Sequence, residues 1–137
     1  MKRPCTYRVS TKGLVVKDGK VLLCLRGDGL WNLPGGGLEF DQSFHDNLRK
    51  EFDEELGIKI KNISEKPIYL WTEKREDDDR DRLLLCYRVE PGTDDFKTKI
   101  DDDCVEARFF TKDELEELNL HQNDVKLREF FNPEDFE

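Results

Sequence analysis

Residues 35–58 place three consecutive glycines, Gly35, Gly36 and Gly37, just ahead of a segment that carries Glu51, Glu54 and Glu55 within about one helical turn. Ser43 to Leu56 contains neither Gly nor Pro and ends at Gly57, as a helix closed by a C-cap does. Asp41 and Ser43 are both candidate N-caps. At about 100° per residue, Phe44, Leu48, Phe52 and Leu56 form one apolar stripe. Glu51 lies at the edge of that stripe, Glu54 beyond it and Glu55 within it. A carboxylate on the packed side of a helix is costly unless it is paired or metal-bound. The spacing therefore favours a ligand role over a solvated salt-bridge face, with Arg or Lys partners as the other way to satisfy these groups. A divalent cation acting on phosphates is the chemistry that such a cluster suits.

The length, 137 residues, predicts a single domain over 1–137 with one substantial core. No apolar run approaches a membrane span, and Met1 to Tyr7 has no signal-type apolar stretch, so a cytoplasmic location is expected. Cys5, Cys24, Cys86 and Cys104 are far apart with no Cys-x-x-Cys pair. Neither a zinc site nor a disulfide framework follows, and Cys24 and Cys86 read as small core residues. The net charge of −9 disfavours nucleic-acid backbones and anionic membranes. A phosphate ligand of so acidic a chain needs a metal ion between the two negative partners.

The rest of the chain reads as strands first and helices late. Leu14–Val16 and Val21–Leu25 flank Lys17-Asp18-Gly19-Lys20, a hairpin signal because both central positions want positive φ. Ile68–Trp71, Leu83–Val89 and Val105–Phe110 are further strands. Residues 76–82 and Asp101-Asp102-Asp103 read as loops. Thr111 and Glu114 form a capping box ahead of Leu115, and Asn123–Phe131 is expected to be a third helix stopped by Pro133. The pattern is that of a mixed α+β sandwich.

The segment from Gly36 resembles the Nudix box, G-x5-E-x7-R-E-U-x-E-E-x-G-U with U apolar. Here the box reads Gly36, Gln42, Lys50, Glu51, Phe52, Glu54, Glu55, Gly57, Ile58, a match at seven of nine specified positions. Leu30-Trp31-Asn32-Leu33-Pro34-Gly35 is similar to the family's approach to the box, and Phe109-Phe110-Thr111 with Glu114-Leu115 to its final strand and helix. Two positions depart. Gln42 stands in place of a glutamate, and Lys50 in place of the arginine that in the family orients the neighbouring glutamates. Lys keeps the charge without the rigid fork, and Gln42 and Lys50 can still pair with each other. Arg49 points about 100° elsewhere and is a poor substitute.

The resemblance is to MutT-like Nudix hydrolases and implies an α/β/α sandwich with a mixed central sheet. It further implies Mg²⁺ or Mn²⁺ bound by the Gly36 carbonyl with Glu51, Glu54 and Glu55. The expected activity is cleavage of the pyrophosphate in a nucleoside di- or triphosphate derivative by water attack on phosphorus. Glu54 or Glu55 is the expected general base, with Asp102, Asp103 and Glu106 as later-loop candidates. Arg26, ending the second strand, is a candidate for a substrate phosphate, about equally a plain surface arginine. Trp31, Phe40, Tyr69 and Trp71 read as packing rather than as base-stacking residues, and His45 and His121 as bystanders. A Nudix-fold nucleotide-binding or sensor module is the alternative. RNA-cap removal is disfavoured by the acidic balance, and a homodimer is compatible with the family.

Overall fold

The computed structural model describes residues 4–98 and 103–137. Nine strands, β1 (Tyr7–Leu14), β2 (Val16–Lys17), β3 (Lys20–Leu25), β4 (Trp31–Asn32), β5 (Gly35–Gly37), β6 (Ile60–Ile63), β7 (Tyr69–Glu73), β8 (Asp81–Pro91) and β9 (Glu106–Phe110), are described. Three α-helices accompany them: α1 (Phe44–Leu56), α2 (Lys112–Leu115) and α3 (Leu127–Phe130). A five-stranded sheet has the order β5-β1-β8-β6, with β7 also on β8. Its central pair, β1 and β8, is parallel and the other pairings are antiparallel. β2, β3, β4 and β9 make a second, antiparallel sheet.

The strands alternate between two cores. Leu84 and Cys86 of β8, Leu14, Val21, Leu23 and Trp71 pack with Leu115, Leu127, Phe131 and Phe136 of the C-terminal segments. Leu85, Tyr87 and Val89, one residue out of phase, pack with Leu22, Cys24 and the α1 residues Leu48, Phe52 and Leu56. Period-two side chains send neighbouring residues to opposite faces, so α1 and the C-terminal helices cover opposite sides of the strands. The expected α+β sandwich with a mixed sheet is what forms.

Local signals settle many boundaries. Asp18 and Gly19 both have positive φ (54° and 75°) in the β2–β3 turn, as the hairpin reading requires. Between the two N-cap candidates it is Ser43 whose hydroxyl accepts the Asp46 N–H (3.0 Å), and Gly57 closes α1 in the left-handed region. The capping box is reciprocal: Thr111 N–H donates to the Glu114 carboxylate and Glu114 N–H to the Thr111 hydroxyl. Two expectations need correction. Asn123–Phe131 is not one helix but a 3₁₀ turn over Gln122–Asp124 followed by α3, because Asp124 is drawn inward to bond the Leu33 N–H (2.7 Å). The glycine triplet is not a free loop: it pairs as β5 with Ser10, Thr11 and Lys12. Gly35 sits at φ 136°, and a Cβ there would run into the Thr11 carbonyl, so the strand approaches too closely for any side chain.

Candidate active site

β5 lies alongside α1 from Asn47 to Glu55, and α1 presents its acids back to the glycines. Glu55 is buried (7% exposed), and its Oε2 accepts the Gly35 N–H at 3.0 Å. Glu51, one turn earlier, is half-buried against Gly36, where an added Cβ would lie 2.8 Å from the Glu51 carboxyl carbon. Glu54 is set apart: it is exposed and faces Lys50 at 3.9 Å, four residues back on the helix. The helical wheel read these three positions correctly. Burial pushes the Glu55 carboxyl up to about 8, against the pull of Lys12 and the Gly35 N–H. Burial also raises Glu51, and the charge of Glu54 adds to it.

Lys50 does not pair with Gln42, contrary to the sequence expectation. Its partner is Glu54, and the buried Gln42 Oε1 has no hydrogen-bond partner among the described residues. Another side chain steadies the β1–β5 pair: Asn47 donates from Nδ2 to the Thr11 hydroxyl (2.9 Å) and to the Gly36 carbonyl (3.1 Å). Arg8 bonds the Leu38 carbonyl on the far side of β5.

Glu55 opens onto a cavity of about 200 Å³ lined by Ser10, Lys12, Arg26, Asn32, Gly35–Gly37, Asp103 and Asn123. Arg26 therefore reaches the site, while paired with Asp28 at 3.1 Å. Of the later acids, Asp103 lines the cavity, Glu106 pairs with Arg108 (2.5 Å), and Asp102 lies outside the described residues. Lys12 was not foreseen; it is 5% exposed and donates to the Leu33 carbonyl at 3.2 Å. Asp124 was not foreseen either: it is fully buried, its Oδ1 lacks a partner among the described residues, and burial raises its pKa. Lys12 did leave a trace, since it is in phase with Leu14 along a strand and so shares that residue's inward face. A larger groove of about 480 Å³ beside Val15, Ile63, Val89 and Phe109 holds none of these residues.

The aromatic candidates are packing residues with one exception. Trp71 stacks on Phe130 and donates to the Asn123 carbonyl, Trp31 meets Phe110 edge-on, and Tyr69 bonds Asp135, whereas Phe40 is 92% exposed. His45 is more than surface decoration: it bonds the Ser64 carbonyl and meets Tyr87 edge-on. His121 accepts the Asn123 N–H at Nδ1, and burial with Arg26, Lys12 and Arg75 nearby lowers its pKa to about 4.

The donor chemistry fits a hard divalent cation. Two desolvated, mutually repelling carboxylates and a backbone carbonyl are oxygen donors that such an ion accepts, with waters and phosphate oxygens completing its shell. Among the described residues no group of three or more acids, histidines or cysteines is placed to hold an ion by itself. No helix of the described residues is long and apolar enough to cross a membrane.

Comparison with known proteins agrees with this geometry. A "MutT-like protein" of Streptomyces ambofaciens is 31% identical over 126 residues, covering 90% of this chain and 77% of the relative. The nucleoside triphosphatase NudI of Escherichia fergusonii is 43% identical over 53 residues, only 34% of this chain and 38% of that protein. The solution structure of the E. coli ORF135 protein superposes with a TM-score of 0.75 at 23% identity, covering 91% of this chain and 88% of that one, a likeness of fold. The NUDIX domain model matches residues 6–131, and with it the chain belongs to the Nudix hydrolase family.

Proposed function

We propose that the protein hydrolyses the pyrophosphate linkage of a nucleoside diphosphate joined to another group, using Mg²⁺ or Mn²⁺ held by the Gly36 carbonyl, Glu51, Glu54 and Glu55. The observation that carries this reading is the buried Glu55 carboxyl, tied to the Gly35 N–H and opening on a cavity that Arg26 also lines. A metal ion bound there would neutralise the pyrophosphate and lower the pKa of the attacking water. The chain's own residues do the rest. The Gly35 N–H holds Glu55 in place, Asn47 holds the Gly36 carbonyl, and Arg26 takes a phosphate oxygen. Water attacks phosphorus in line, the P–O bond to the leaving phosphate breaks, and the water proton passes to a carboxylate. Glu54 and Glu55 are the candidates for that base, with Asp103 on the cavity wall as a further acid. Attack at one phosphorus gives a nucleoside monophosphate and the phosphorylated second group.

The partial likeness to a nucleoside triphosphatase supports a nucleotide substrate. The net charge of −9 disfavours a nucleic-acid partner. Gln42 and Lys50 favour a second reading, a nucleotide sensor of low turnover, because Gln42 Oε1 has no partner among the described residues and Lys50 pairs with the exposed Glu54 rather than with Glu51 or Glu55. The test is phosphate release from a panel of nucleoside triphosphates, ADP-ribose, sugar nucleotides and dinucleotides, with and without Mg²⁺ or Mn²⁺. Metal-dependent turnover that disappears in Glu54→Gln and Glu55→Gln is expected. Nucleotide binding with no turnover across the panel would overturn hydrolysis in favour of the sensor. The oligomeric state, with a homodimer compatible, and a cytoplasmic site of action are part of the same reading.

A further inference from the structure

Lys12 is a buried lysine that the Nudix box does not account for. Burying an ammonium is costly unless its donors are used. Among the described residues it makes one hydrogen bond, to the Leu33 carbonyl, although a lysine carries three donors. Two buried acids bracket it without forming an ion pair. Asp124 sits behind Leu33, whose N–H it accepts, and Glu55 sits beyond Gly35, the cross-strand partner of Lys12. The side chain nevertheless lines the cavity into which Glu55 and Arg26 open.

Resting on the hydrolytic reading of this site, we infer that Lys12 is a substrate-binding residue whose spare N–H donors take a phosphoryl oxygen of the pyrophosphate, opposite Arg26. A compact ammonium is suited to a phosphate as a point charge. The lysine of the box cannot serve here, because Lys50 stands on the outer side of α1 against Glu54. A purely charge-balancing Lys12 would instead support Glu55 and Asp124 and have no dealings with the ligand. The two roles differ in what is lost when the ammonium is removed.

The probe is methylenediphosphonate, a pyrophosphate with carbon in place of the bridging oxygen, titrated with Mg²⁺ into wild type, Lys12→Met and Lys12→Arg. Mn²⁺ binding without the probe is measured in the same proteins. Lys12→Met is expected to weaken the probe about tenfold or more, through loss of a charge-assisted hydrogen bond, while Mn²⁺ binding stays within about threefold and Lys12→Arg recovers most of the affinity. Unchanged probe affinity in Lys12→Met, or equal losses of probe and Mn²⁺ binding, overturns the assignment. Should Lys12→Met fail to fold, the ¹H–¹⁵N resonance of the ammonium that is missing in Lys12→Arg decides: it moves on probe addition if Lys12 binds phosphate. A resonance that stays still while the probe binds overturns it. Failure of the hydrolytic reading shows separately, as a wild-type protein that turns over no nucleotide.

Discussion

Gly35 and Glu55 are joined by a 3.0 Å hydrogen bond from the backbone N–H of a strand to a carboxylate on a helix, across 20 residues of sequence. That bond sets a buried acid beside a strand residue whose close packing on Thr11 excludes a side chain. It couples a position where the backbone must be glycine to the most deeply buried of the box acids.

Glu55→Gln separates charge from shape. The amide oxygen can keep the Gly35 N–H while the buried charge disappears. Metal-dependent turnover is expected to fall by about a hundredfold or more. Above about pH 8, where the Glu55 carboxyl is ionised, the melting temperature is expected to hold or rise, since removing a buried charge with no ion-pair partner among the described residues relieves its desolvation. Calorimetry and initial rates on the same preparation check both halves, and a clear drop in melting temperature would contradict the second.

Gly36→Ala should disturb the site while sparing the fold. Its Cβ would meet the Glu51 carboxylate at 2.8–3.0 Å, and that carboxylate is the end of a flexible side chain able to swing away. The metal concentration for half-maximal activity is expected to rise about tenfold or more as a carboxylate ligand is displaced. Gly27→Ala, where a Cβ meets nothing within 4 Å, is the silent control in the same titration.

Phe52→Ala tests the core under the site. Phe52 is fully buried and abuts Gly13 so closely that a Cβ there would strike its ring. The loss is expected at about 3–5 kcal/mol, read by denaturant unfolding. A loss below about 1 kcal/mol would mean that the helix–sheet packing described above is wrong.

His121 gives the acid limb of stability a defined sign. Its folded pKa of about 4 lies below the ordinary imidazole value of 6.5, so the unfolded chain binds the extra proton between those values. The stability that His121 contributes is present above about 6.5 and is lost as pH falls towards 4. Glu55, raised from 4.5 to about 8, acts in the opposite sense, losing stability as pH rises through that range. The clean readout is therefore a difference: melting temperature of His121→Asn minus wild type should shift in the variant's favour as pH falls from 6.5 to 4. A flat difference would contradict the lowered pKa.

Much of this was legible in the chain. Caps at Ser43, Gly57 and Thr111, the Asp18–Gly19 turn and the apolar stripe of α1 are local signals that formed where their residues said they would, save that Phe44 at the start of the stripe is exposed. All of β1 but Leu14 went unread because Arg8, Ser10 and Lys12 look like a solvated segment, and only the pairing with β5 and β8 makes them a central strand. Asn123–Phe131 was read as one helix because its propensity is adequate, whereas a tertiary bond from Leu33 to Asp124 breaks it.

The sequence by itself determined the helix that carries Glu51, Glu54 and Glu55, their order from edge to outside to core, and the family to which they belong. Those properties depend on spacing along one helix, which a linear pattern specifies. Only the tertiary structure decided that Glu55 meets Gly35 and that Lys12 and Arg26 share a cavity. Such partnerships join residues from separate strands and helices, and nothing in local propensity records which elements come to lie side by side.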